Sequence, residues 1–205
     1  MSSVRCTGFR LICSLAIFAF VVAVSSRSFV AAQQRQAGAV TSFDVMPQYD
    51  TNRNLVLPDD YRRWVLAGSS LGLSYAEGEQ DVHQMFNTTL MEPSAYRHFV
   101  ETGTFREGTM LALILQGIGT NATPARQGQF ATAVHMVEMA VKDSTRVPEG
   151  WAYYGFGGPM AGGYRTVATP QPKASCYNCH VQHAARDNVF MQFYGLLNEA
   201  APKKR

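Results

Sequence analysis

Apolar and polar positions along this chain change their spacing repeatedly, and each change predicts an element. Residues 58–65, Pro-Asp-Asp-Tyr-Arg-Arg-Trp-Val, read as a helix start, with Pro and acids in the first turn and aromatics behind them. Residues 82–90 alternate loosely around Val82, Met85 and Phe86 and predict a strand. A short helix is expected over 93–102, stopping near Gly103. Residues 109–115 form a continuous apolar run of strand length between Gly108 and Gly117, with a loop over 119–128. Periodicity alone leaves 132–142 open between strand and helix; Val134, Val137, Val141 and the neighbouring strands favour strand. An aromatic strand follows over 151–156, then a Gly/Pro-rich loop over 157–172 and a C-terminal helix over 187–198. Strands in series joined by long loops, with helices at intervals, predict an α+β fold. It is a predominantly antiparallel β-sheet with flanking helices, in a single domain.

The first 32 residues follow another pattern. Arg5 and Arg10 precede an apolar run over 11–24, and Val30-Ala31-Ala32 offers cleavage before Gln33, as in a secretory signal peptide. A retained anchor is the competing reading, but the run of about 14 residues falls short of the roughly 20 needed to span a bilayer. Residues 33–54 read as a flexible polar lead-in, 55–198 as the domain and 199–205 as a tail. The expected location is the periplasm or another exported compartment. Removal of the signal takes three Arg and no acid, leaving 15 basic against 15 acidic residues. Nothing in this near-neutral chain points to a nucleic-acid partner, which would need a clustered basic surface. Cys6 and Cys13 also leave with the signal, so Cys176 and Cys179 are the only thiols that remain. One close pair cannot build a disulfide framework.

That pair stands in Cys176-Tyr177-Asn178-Cys179-His180, the attachment pattern of c-type haem. Two thiols one turn apart can add to the two vinyl groups of one porphyrin edge, and the adjoining imidazole then reaches the iron. Cys176 and Cys179 would tether and His180 would be the axial metal ligand of a single covalent haem c. Three readings compete. A thioredoxin-like pair needs a βαβ setting, which is not visible here. A zinc site needs two further ligands, and only His183 is at hand. A plain disulfide would close a small, strained loop.

With that motif in view, the rest of the chain resembles the cytochrome P-460 family. The resemblance rests on residues 61–65 (Tyr-Arg-Arg-Trp-Val), 103–109 (Gly-Thr-Phe-Arg-Glu-Gly-Thr), 137–143 (Val-Glu-Met-Ala-Val-Lys-Asp) and 150–154 (Gly-Trp-Ala-Tyr-Tyr). It is strongest from Cys176 through His183-Ala184-Ala185-Arg186-Asp187-Asn188-Val189-Phe190 to Tyr194. It runs from about residue 55 to 198. It implies an antiparallel β domain, usually a homodimer, holding haem c against the sheet. Some members oxidise hydroxylamine; in them a strand lysine is linked to the porphyrin and a distal glutamate serves in proton transfer. Cytochrome c′-beta relatives lack the link and bind small gases such as nitric oxide.

This chain departs from the hydroxylamine-oxidising pattern. The linking position falls at or beside Leu113, and no lysine occurs between Gln33 and Val141. Lys142 lies alongside that lysine's place in the resemblance rather than in it. Glu138 aligns with the distal acid, as a possible proton acceptor; the alternative is an acid on the outer, solvated face of its strand. Phe86, Leu111 and Leu113 are the candidates to line a dry distal pocket. A sixth ligand from Met85, Met110, Met136, Met139, Met160 or Met191 competes with their use as core filler, and His135 is a weaker candidate. Trp151, Tyr153, Tyr154 and Phe156 line the porphyrin or fill the core. Three functions follow. One is a haem protein with an open distal site that binds nitric oxide or a similar nitrogen-oxide or diatomic ligand. Another is a haem-dependent oxidoreductase acting on hydroxylamine or nitric oxide. The last is a six-coordinate electron carrier working with a redox partner cytochrome.

Overall fold

The computed structural model describes residues 46–73, 84–124 and 127–203. The proposed signal segment and most of the lead-in lie outside them. Strands β1 (Leu55–Val56), β2 (Val65–Leu71), β3 (Phe86–Met91), β4 (Met110–Thr120), β5 (Gln129–Lys142), β6 (Trp151–Gly158), β7 (Gly163–Tyr164) and β8 (Val167–Ala168) alternate with helices α1 (Pro93–Thr102), α2 (Tyr177–His183) and α3 (Gly195–Ala200). Strands β2 to β7 form a six-stranded sheet in chain order, and β1 pairs with β8. Every pairing is antiparallel. The α+β expectation is met. Among the described residues, no helix is long and apolar enough to cross a membrane.

The sheet is buried on both faces. On one, Leu90, Met110, Ile114, Val137, Met139 and Tyr154 pack under Leu55, Tyr61 and Trp64. On the other, Met91, Leu111, Trp151 and Tyr153 pack against Phe99 of α1, Met191 and Leu197 of α3. A strand covered on both sides needs apolar residues at odd and even positions alike, which is why residues 110–115 read as an unbroken apolar run. Strand β4 also runs further than predicted, through Gly117 and Gly119 to Thr120, because Phe130 and Thr132 of β5 lie over those glycines.

Helix α1 matches its prediction. Glu92 caps its N-terminus, Pro93 occupies the first turn, and Gly103 ends it in the left-handed conformation at φ 74°. Three expectations are corrected. Residues 58–65 do not open a helix: Tyr61–Arg63 make one 3₁₀ turn, Trp64 is extended, and the unpredicted β2 begins at Val65. Burial of Tyr61 and Trp64 against the sheet outweighs the helical signal. The Gly-Ser-Ser content of β2 masked it as a strand. Residues 187–198 are not one helix either, because Asp187 and Asn188 stand at φ 45° and 57° and break any helical run before α3. Ordered packing also starts earlier than residue 55: the Tyr49 hydroxyl donates to Asp143 at 2.9 Å, and the Arg146 guanidinium lies 3.6 Å from the Tyr49 ring centroid. The β3 expectation holds from Phe86 onward; residues 82 and 83 lie outside the described ones.

Glu92 ties this framework together. It is fully buried, and its carboxylate accepts from the Ser94 and Ala95 amides at 2.8 and 2.7 Å and from the Ser94 hydroxyl, with Arg106 at 3.6 Å. Glu92→Ala leaves two amides without their acceptor and removes the carboxylate beside the Arg106 guanidinium. It is expected to cost about 3 kcal/mol in urea unfolding; a loss below about 1 kcal/mol would contradict the burial of this cap.

Candidate functional site

The Cys-x-x-Cys-His segment forms the first turn of α2, with Cys176 as its N-cap. Both cysteines are free and half-buried. Burial pushes the Cys176 thiol up, and the charges of Glu138 and Cys179 add to that. His180 Nδ1 sits 2.7 Å from the Asn188 carbonyl oxygen. A carbonyl only accepts, so Nδ1 carries the proton and Nε2 keeps a free lone pair. The ring lies between Tyr153 and Phe190, with centroids 4.3 and 4.4 Å away. Burial holds this imidazole below its usual range, against the opposing bond to Asn188. It is therefore kept neutral, the form that ligates metal.

The Asn188 carbonyl also accepts the Tyr153 hydroxyl at 3.3 Å. It is presented by two successive left-handed residues, Asp187 and Asn188, a conformation that costs about 1 kcal/mol each and is best tolerated by Asp and Asn. Asp187 is held in turn: Lys142 Nζ donates to its Oδ2 at 2.6 Å, and Trp151 Nε1 to its Oδ1 at 3.1 Å. Lys142 also donates to the Phe105 carbonyl at 3.0 Å.

Cys176 and His180 open on two adjoining cavities of about 220 and 260 Å³, with Cys179 on the first. Together these are of small-molecule size. Their floor follows one row of residues facing each other across five strands, Gly68, Thr89, Leu113, Glu138 and Gly155, of which all but Gly155 line a cavity. Neighbours in such a row stand about 5 Å apart. Glycine at the ends keeps it level. A Cβ on Gly68 would lie 2.7 Å from the Tyr194 Cα, and one on Gly155 would lie 2.9 Å from the Gln171 side chain.

Leu113 and Glu138 are thus side by side in the cavity wall with Cys176 and His180. Glu138 does not sit on a solvated outer face; burial raises its carboxyl above the ordinary range. Leu111 borders the second cavity. Phe86 does not reach either one and is corrected. Asn87 and Thr89 of β3 face the cavity, so the two-residue period turns Phe86 to the other side of the sheet. Among the described residues, Met139 is the one methionine bordering the cavities, and its side chain packs in the opposite-face core. His135 lines neither. Of the aromatic stripe, Tyr153 flanks His180, while Phe156 fills the opposite core.

Among the described residues, two of the three competing readings of the cysteine pair lose their settings. The sheet has no parallel βαβ unit. Among the described residues, no three His, Cys, Asp or Glu side chains converge on a metal-ion site. Two thiols and one neutral imidazole facing a cavity floor with Leu113 at its centre do fit a tethered haem. The family model for Cytochrome P460 matches residues 58–191, which take in all five floor strands and the Cys-His motif. The chain belongs to the Cytochrome P460 family. Comparison with curated proteins gives no match. Membership of the Cytochrome P460 family brings haem binding with it. Within this Cytochrome P460 domain, sequence reasoning missed Thr89, Asn87, the end glycines and Asn188. The first two were legible in principle once β3 was placed in register, Thr89 as the partner of Leu113 and Asn87 two residues along the same face.

The raised Glu138 carboxyl gives a stability signature. The folded state holds this proton above the ordinary value of 4.5, so its contribution is full below that value and is lost as pH rises through the raised folded value. Denaturation of Glu138→Gln between about pH 4 and 8 is expected to give a flatter stability profile than wild type. Equal slopes would mean that Glu138 is not desolvated.

Proposed function

We propose that this Cytochrome P460 protein is an exported, mono-haem c-type cytochrome that binds or transforms small nitrogen ligands such as nitric oxide or hydroxylamine. Cys176 and Cys179 carry the two thioether links and His180 is the axial ligand. The observation that carries the reading is the sharing of one cavity by both cysteines, the His180 imidazole and the Leu113–Glu138 pair. The bound haem would supply an iron that takes a small ligand and exchanges electrons with it. The side chains supply the rest. The Asn188 carbonyl fixes the His180 tautomer. Leu113 offers an apolar surface to a ligand, and Met139, which borders the second cavity, packs its side chain in the opposite-face core. Export rests on the pattern of residues 1–32, and a homodimer on family resemblance alone.

Hydroxylamine oxidation is the second reading, and Glu138 favours it. A carboxylate whose pKa is raised by burial, facing the cavity, is a stronger base than an exposed one and suits removal of a proton from a nitrogen substrate. Against it stands the missing lysine: Leu113 occupies the floor, and Lys142 is committed to Asp187 and the Phe105 carbonyl.

Optical spectra of the purified mature protein test the proposal. The expected result is a haem-c pyridine spectrum with two thioethers and a high-spin ferrous form that takes up nitric oxide. Replacing both Cys176 and Cys179 by Ala is expected to abolish covalent attachment. Low-spin spectra that ligand does not move would make the protein an electron carrier, and turnover of hydroxylamine with an artificial acceptor, lost in Glu138→Gln, would select the second reading.

A further inference from the structure

Lys142, Asp187 and Trp151 lie outside the cavity, yet they converge on the turn that holds His180. Lys142 Nζ and Trp151 Nε1 each take one oxygen of the Asp187 carboxylate, at 2.6 and 3.1 Å. Lys142 is anchored a second time on the Phe105 carbonyl at 3.0 Å. The next residue, Asn188, is left-handed like Asp187, and its carbonyl takes the His180 Nδ1 proton at 2.7 Å. The order is therefore strand-borne cation and indole, carboxylate, backbone carbonyl, imidazole. Lys142 and Trp151 face each other across β5 and β6, so the anchor belongs to the rigid sheet rather than to a loop.

We propose that Lys142 and Asp187, with Trp151, form a clamp that positions the Asn188 carbonyl and so tunes the imidazole of His180 through its Nδ1 proton. The proposal rests on the reading of His180 as the axial ligand. Two consecutive left-handed residues relax readily unless their surroundings hold them. A fixed carbonyl on Nδ1–H makes Nε2 a stronger donor, which favours the oxidised metal. When the clamp is lost the carbonyl drifts, the donor weakens and the potential rises. Lys142 and Asp187 are positioning residues, because neither lines the cavities.

The test uses the holoprotein. Changing Asp187 alone also changes the local charge, so the decisive variant is the double Lys142→Met/Asp187→Ala, which removes one charge of each sign. Its reduction potential is expected to lie above wild type, and the iron–imidazole stretch of the ferrous protein at lower frequency. If the double variant does not fold, Trp151→Phe, which removes one hydrogen bond to the Asp187 carboxylate without changing charge, is expected to move both readouts in the same direction. A variant that loses thermal stability but keeps the wild-type potential and stretch would overturn the clamp as a tuning device. Absence of a two-thioether haem in the wild type would instead overturn the haem-c reading beneath it.

Discussion

The alternation of side chains in one antiparallel sheet governs this protein. Strands β3 to β6 must serve a hydrophobic core on each face and, on one of those faces, a cavity floor as well. Register makes this possible. Met91, Leu111, Ala140 and Tyr153 align across the sheet as core. Two residues along each central strand, Thr89, Leu113 and Glu138 align as floor. A slip of one residue in any of these strands would send its floor position into the opposite core; in β5 it would bury the Glu138 carboxylate among Met110, Ile114 and Tyr154, at prohibitive cost. The helical C-terminal segment then has one place to put its thiols and imidazole, above that floor.

Much of this was legible from pattern. Helix α1 carried its own start and stop, Pro93 and Gly103. The central strands were long or apolar enough to outweigh their ambiguities. The failures share a cause, because each lies where tertiary contact overrides local preference. The stretch Val65–Leu71 is poor in strand formers and exists as a strand because β3 offers an edge and Tyr194 presses on Gly68. Phe86 looked like a pocket residue by chemistry, but its side of the strand depended on a register that its own sequence does not encode. Tyr61 and Trp64 had the spacing of a helix turn, and they use it once before the chain straightens.

The site divides in the same way. Cys176, Cys179 and His180 announce themselves because Cys-x-x-Cys-His is a pattern of fixed spacing. Glu138 and Leu113 came from resemblance, and geometry places them side by side. The partner of His180 was not legible at all. It is a backbone carbonyl eight residues on, and a carbonyl has no letter in the sequence. Its trace is indirect: Asp-Asn, the pair most at ease with a left-handed backbone, placed where a helix had been expected.

Leu113 has a further property. Its neighbours Met110, Leu111, Ala112 and Ile114 each belong to one of the two cores, and Leu113 belongs to neither. A substitution there therefore changes the cavity lining without removing a member of either core, while the strand on either side keeps the scaffold. The reactive character of the site is thus decoupled from the integrity of the fold at one position. A lineage can gain or lose a chemistry there by a single substitution, and relatives with the same architecture can diverge in what they do while remaining equally able to fold.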